Sequence, residues 1–381
     1  MKLDMITVLY HLIHPEKASP NQFVYKELYP LFKFHSLEPF LYHALQKGLL
    51  ITTREDQAEI TKLYQTALYK TATQEEELNL IKQTLSAHQI SFLPIKGPWV
   101  RACYPSPELR TMADLDILVP KTALKAVKSL MLTLGYTNEH EGGNHDVYHK
   151  KPFMNVEMHR NMIAESYVLS KYYQSIWSRV LPKENTTECY LSIEDHYIFV
   201  VAHSAKHYGA GGTGVRSVLD IYFYWKSFPN MNKEYIHQEL EKLELVQYEA
   251  ALWSLAKGWF DGEPLTEVAT LMGEYLLSSG VYGTTTHAVV SALTLEDEAK
   301  SLTYRKWKYL WKRAFPPYKT MIELYPSLKR TAIFLPLCYL HRLLKGLVTG
   351  KVVTQTKQLK AISEKELASN QNVKKKTGVS K

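Results

Sequence analysis

Two aspartates one residue apart, Asp114 and Asp116, head the apolar run Ile117-Leu118-Val119. Aspartate is depleted in strands, so a strand that opens on two of them needs a reason. Successive side chains of a strand point to opposite faces. Asp114 and Asp116 then share one face, about 6.6 Å apart at ~3.3 Å per residue, while Leu115 and Ile117 enter the core. Carboxylates held this close repel, and one keeps its proton unless a cation sits between them. Oxygen-only ligands suit Mg²⁺, which retains waters and takes phosphate oxygens as further ligands. Paired metal ions bridged by carboxylates are a general device for displacement at phosphorus.

Such a site needs a third carboxylate from a neighbouring strand. Glu157, in Asn155-Val156-Glu157-Met158-His159, alternates with apolar residues and projects from one strand face. Upstream, Lys96-Gly97-Pro98 marks a turn from strand to helix. A glycine there lets backbone N–H groups approach a phosphate, and Lys96 can pair with its charge. Two aspartates on an exposed edge strand and a surface lysine are the bland account of the same residues. The combination of D-x-D, a downstream glutamate and a strand–glycine–helix turn favours a site.

These residues must be held by something. Residues 57–89 read as one long helix and 90–97 (ISFLPIKG) as a short strand. PWVRACY follows as a helix with Pro98 in its first turn, and DLDILVP as a strand. KTALKAVKSLMLTLGY is an amphipathic helix closed by Gly135, and DVYHKK with MNVEMHR forms a strand pair turning at Lys151-Pro152. The expectation is an α+β protein: N-terminal helices over 1–74, a small α/β core with a mixed sheet over 75–160, and a helical domain over 161–345. A basic tail over 346–381 completes it.

The pattern L-x-I-K-G, then Tyr104-Pro105, Pro107, Arg110 and A-D-L-D-I-L-V, resembles the bacterial uncharacterised nucleotidyltransferase family of the polymerase-β-like superfamily. V-E-M-H and H-S-A-K-H…R…L-D-I extend the resemblance over roughly 90–225. The Lys-Gly pair replaces the superfamily's usual G-[GS] turn, and the gap from Gly97 to Asp114 is long. The resemblance implies that Asp114, Asp116 and Glu157 bind Mg²⁺, two ions in all, and that Glu157 activates the acceptor hydroxyl or serves as its base. It implies an NTP donor, ATP being the one expected, and transfer of its nucleoside monophosphate to an unidentified acceptor. A helical domain would close over the nucleotide, with Lys206, Arg216 and Arg110 joining Lys96 and Gly97 on the triphosphate. A non-catalytic module that keeps the fold to sense a nucleotide or bind a protein is the alternative.

His203, Lys206 and His207 share one helix face. The histidines read as structural or nucleotide-facing rather than as zinc ligands, since no H-E-x-x-H or cysteine accompanies them. Asp220 would bond a histidine or Arg216. Gly209–Gly214 spells G-x-G-x-x-G, but a helix precedes it where the dinucleotide fingerprint needs a strand. It reads as a helix stop and loop. His140, His145, His149 and His159 surround a glycine-rich segment; they could bind a metal, but read first as surface histidines of loops and strands.

The net charge of +8 invites a nucleic-acid reading, yet residues 346–381 hold eight lysines and two glutamates, or +6 of that total. This tail lacks aromatics and reads as a disordered, solvated end, so nucleic acid is not the favoured partner. The longest apolar run, TAIFLPLCYL (331–340), meets His341 and Arg342 well short of the roughly 20 residues that span a bilayer. No secretory signal opens the chain, and three scattered cysteines fit a reducing cytoplasm.

Overall fold

The structure, a computed structural model, describes residues 2–379 apart from 18–20, 282, 295–299, 330, 349–355, 357–358 and 360. Three helices, α1 (Lys2–Ile13), α2 (Tyr25–Phe34) and α3 (Pro39–Gln46), surround the two-residue parallel strands β1 (Phe23–Val24) and β2 (Leu50–Ile51). Helix α4 (Arg54–Ala87) starts on a capping box in which Thr53 and Asp56 satisfy each other's backbone N–H.

The α/β core follows: β3 (Leu93–Pro94), α5 (Gly97–Ala102), β4 (Leu115–Leu118), α6 (Leu124–Thr133), β5 (Thr137–His140), β6 (His145–Lys150) and β7 (Met154–His159). The sheet order is β3-β4-β7-β6-β5. Strand β4 runs parallel to β7 and every other pairing is antiparallel. The sheet is mixed, as the sequence suggests. Strand β5 is an addition: its burial is slight, and no alternation announces it. One face of the sheet buries Leu115, Ile117, Val156 and Met158 against Ile81 and Leu85 of α4 and Val127 and Met131 of α6. That face fixes the register, because a one-residue slip would turn every apolar side chain outward.

Past residue 161 the chain first makes 3₁₀ turns and the small hairpin β8 (Leu181–Pro182) and β9 (Cys189–Tyr190). Helices then dominate: α7 (Ile193–Ala210), α8 (Arg216–Ser227), α9 (Lys233–Lys242), α10 (Val246–Phe260), α11 (Glu267–Ser279), α12 (Thr285–Thr294), α13 (Leu302–Ala314), α14 (Tyr318–Leu324), α15 (Leu335–Val348) and α16 (Glu364–Lys376). Ser192 caps α7 by accepting from the Asp195 N–H. The N-terminal helices are not a separate layer. Met5, Leu9, Phe32 and Leu41 share one core with Ile198, Leu219, Leu252 and Leu276.

Within the tail, residues 349–355, 357–358, 360 and 380–381 lie outside the described residues, and the described end is helical where the sequence suggested disorder. Helix α16 lies inside the stretch read as disordered, is opened by a Ser363–Glu366 capping box, and buries Leu367, Asn370 and Val373. The Lys374 ammonium donates to the Gly209 carbonyl at 2.7 Å. Its lysines dominate the composition, but Leu367, Asn370 and Val373, at three-residue spacing, give the helix one face to bury. Among the described residues no helix is long and apolar enough to cross a membrane.

Candidate active site

Asp116 lies in β4, and its register partner on the parallel strand β7 is Glu157. Asp114 sits just ahead of β4 rather than within it. Oxygens of Asp114, Asp116 and Glu157 all lie within 4.8 Å of one another. The parallel pairing that joins them cannot be read from either strand alone.

The carboxylates are half-buried, and their mutual field is strong. Burial, then repulsion from Asp116 and Glu157, lifts the Asp114 pKa to about 6. Burial also opposes ionisation of Asp116, but a hydrogen bond from His159 and the charge of that ring outweigh it and hold Asp116 below the usual range. His159 Nε2 stands 2.9 Å from Asp116 Oδ1 and 3.3 Å from Glu157 Oε2. Burial alone would lower the His159 pKa; its bonds to the two carboxylates raise it to about 9. His145 approaches the same Glu157 oxygen at 3.4 Å. His145, Glu157 and His159 thus form a second close group that shares Glu157 with the first.

Both histidines lie on strands, β6 and β7, and meet the carboxylates rather than open solvent alone. His159 shares the Glu157 face of β7 at the next alternate position, a relation present in E-x-H. His145 is placed by its pairing with His159 across β6 and β7.

The acids form one side of a cleft of about 470 Å³, whose other side comes from α7 and α8. Lys206 and Arg216 line it, as do Lys96 and Gly97. The Lys206 ammonium lies 5.5 Å above the Tyr167 ring, and burial lowers its pKa. Arg216 Nη1 donates to the Thr111 carbonyl at 3.0 Å. Lys96 Nζ donates to His203 Nδ1 at 3.0 Å, and burial pulls its pKa down to about 8. The backbone at Lys96 has φ +37°, a strained value for a residue with a side chain. Its neighbour Ile95 donates to the Asp116 carbonyl at 2.9 Å, so this turn is anchored on β4. A Cβ at Gly97 would meet Met112 Sδ at 2.7 Å, so a side chain there would have to displace Met112.

Arg110 lines the same cleft, but its charge is already matched from within the protein. Its guanidinium is buried and makes a two-pronged bond to Asp220, Nε–Oδ1 2.7 Å and Nη2–Oδ2 2.9 Å. The Tyr104 hydroxyl donates to the same Oδ1 at 2.7 Å. Arg110 neutralises Asp220, its cationic fork being fully engaged, and Nη1 reaches the Gly97 carbonyl at 3.4 Å. Asp220 therefore takes Arg110 as its two-pronged partner, where the sequence suggested Arg216 or a histidine. The pair braces the Lys96-Gly97 turn from behind.

The glycine-rich loop between α7 and α8 is a packing device. At Gly214, φ is +67° and an added Cβ would lie 2.7 Å from the Gly280 carbonyl carbon and the Val281 nitrogen. His203 and His207 stay together at the cleft edge, Nε2 to Nε2 3.3 Å.

The chain matches the model of a family described as "Uncharacterised nucleotidyltransferase" over residues 21–261, and it belongs to that family. No curated protein and no solved structure matches it. The family span contains every residue of the cleft described above except Val281.

Proposed function

We propose that this nucleotidyltransferase-family protein is a Mg²⁺-dependent enzyme that moves a nucleoside monophosphate from an NTP to an acceptor hydroxyl. The observation that carries the reading is the convergence of Asp114, Asp116 and Glu157 within 4.8 Å in a cleft faced by cations. Three carboxylates held this close favour a divalent cation between them, and an all-oxygen set suits Mg²⁺. Bound there, one or two ions would neutralise charge developing on the transferred phosphate and its leaving group.

The chain's own residues do the positioning. Asp114, Asp116 and Glu157 hold the metal side of the triphosphate. Lys206 and Arg216 meet its remaining charge from the α7–α8 side and Lys96 from the turn before α5, with Gly97 allowing close approach. The acceptor oxygen attacks the α-phosphorus, the bond to the β-phosphate bridging oxygen breaks, and pyrophosphate leaves. The hydroxyl proton passes to the carboxylate cluster at Glu157. Catalysis of this kind rests on orientation and electrostatic stabilisation.

Thermal shift against ATP, GTP, CTP and UTP, with and without Mg²⁺, tests the reading beside Asp114→Asn. Mg²⁺-dependent stabilisation by a nucleotide, lost in the variant, is the expected result. The stabilising nucleotide, labelled at its α-phosphate, then reports transfer. Absence of any Mg²⁺-dependent nucleotide effect would overturn it. Binding without pyrophosphate release would leave a nucleotide-sensing module instead of an enzyme.

A further inference from the structure

The cleft leaves the last helices of the chain unexplained. Residues 300–345 carry eleven Lys or Arg residues and one acid, Glu323. Among the described residues, 12 of the 25 exposed large hydrophobic side chains fall between Tyr304 and Leu344. Grease and positive charge are concentrated in the same stretch.

The arrangement is ordered. On α13, Tyr304, Trp307, Trp311 and Phe315 recur at three-and-four spacing and form one stripe. The Trp307 and Trp311 rings stack at 5.6 Å, Trp311 meets Phe315 at 4.7 Å, and Phe315 meets Tyr339 of α15 at 5.5 Å. Helix α15 continues the surface with Leu337, Leu340 and Leu344. Trp307 and Trp311 remain 55% and 54% exposed, and Leu337 60%, values that core residues do not show. The other side of α13 is fastened: Leu302 and Tyr309 pack on a small core with Val289, Leu293 and Ile362. Lys306 donates to the Ile362 carbonyl at 2.7 Å. The stripe faces water because the helix is held from behind.

We propose that α13 and α15 form a peripheral docking surface for an anionic lipid bilayer. Helices with Trp, Tyr and Leu on one side and Lys and Arg on the flanks lie in the headgroup layer, apolar side inward. Tryptophan and tyrosine favour that layer because one end of the ring system is apolar and the other polar. Long basic side chains rest their stems on the apolar region and lift the charge to the phosphates. Anionic leaflets add attraction for each such charge. A protein partner fits less well, since lysine is depleted from protein–protein interfaces. A second copy would bring the same positive surface against itself. The binding lies on the bilayer, since no described helix is long and apolar enough to cross it.

The test is sedimentation of the full-length protein with vesicles of phosphatidylcholine alone or with about one third phosphatidylglycerol. Binding to the anionic vesicles should exceed binding to neutral ones by at least about tenfold and weaken as salt rises. Trp307→Ala with Trp311→Ala, and separately Lys312→Glu with Arg313→Glu, should each lower it by about tenfold or more. Circular dichroism should stay unchanged in both variants, which separates loss of docking from loss of fold. No binding to anionic vesicles overturns the proposal. So does binding that both variants retain, or self-association of the free protein that the tryptophan variant abolishes.

Discussion

Asp220→Asn has a cost that the structure fixes closely. Asp220 and Arg110 are 5% and 4% exposed, and the carboxylate uses both oxygens on the guanidinium. Asparagine offers one oxygen and turns an NH₂ toward the cation. Removing one partner of a buried pair leaves the other charged and unsolvated, at about 3–5 kcal/mol. A second route gives the same order. Burial works against ionised Asp220, but Arg110's charge and bonds win and lower the pKa from 3.8 to about 2. At ~1.4 kcal/mol per pH unit, this is roughly 2–3 kcal/mol in favour of the ionised fold. A depressed carboxylate contributes fully above its unfolded pKa and loses its contribution as pH falls toward 2. The difference is therefore complete at neutral pH. Equilibrium urea unfolding at pH 7 should show a loss of about 3–5 kcal/mol for Asp220→Asn. Arg110→Met combined with Asp220→Leu removes both charges and should recover most of it. A loss below about 1 kcal/mol, or a double variant no more stable than Asp220→Asn, would refute the reasoning.

Asp116→Asn and Glu157→Gln should each reduce transfer by at least about 10³ while far-ultraviolet circular dichroism stays unchanged. Full pyrophosphate release from either variant would remove the carboxylates from the mechanism. Burial depresses the pKa of His35 to about 4 and of His196 to about 3, so both fold as neutral rings. Folding stability is then complete above about 6.5, the unfolded histidine value, and falls as pH drops toward 4, by up to ~1.4 kcal/mol per unit for each ring. His196→Phe, in a site stacked between Trp99 and Tyr224, should make urea stability less steep in acid by one proton; an unchanged slope would count against it. Gly214→Ala should cost at least about 2 kcal/mol. Gly262→Ala has a similar φ of +78° but open space around it and should cost only about 1 kcal/mol. Equal losses in urea would show that backbone approach at Gly214 is not the constraint.

The local parts of the site were legible in the residues. Alternation placed Glu157 on a strand face, and Lys96-Gly97-Pro98 marked the start of α5. What escaped depends on pairing. His145 reaches Glu157 because β6 and β7 lie side by side, and nothing in H-D-V-Y says so. Arg110 looked like a phosphate ligand because its type suits one; only the arrival of Asp220, 110 residues later, shows that its charge is already matched. Composition misled at α16, where eight lysines in the last 36 residues outvote one buried face in any average but not in a fold.

The bond from Lys374 to Gly209 also sets an order of events during synthesis. Its two ends are 165 residues apart, which at 5–20 residues per second means a delay of about 8–33 s. All three carboxylates and the α7 helix leave the ribosome before this clasp exists. The nascent chain must therefore hold the end of α7 without α16 for that interval, with Gly209 bonded to water until the last helix docks.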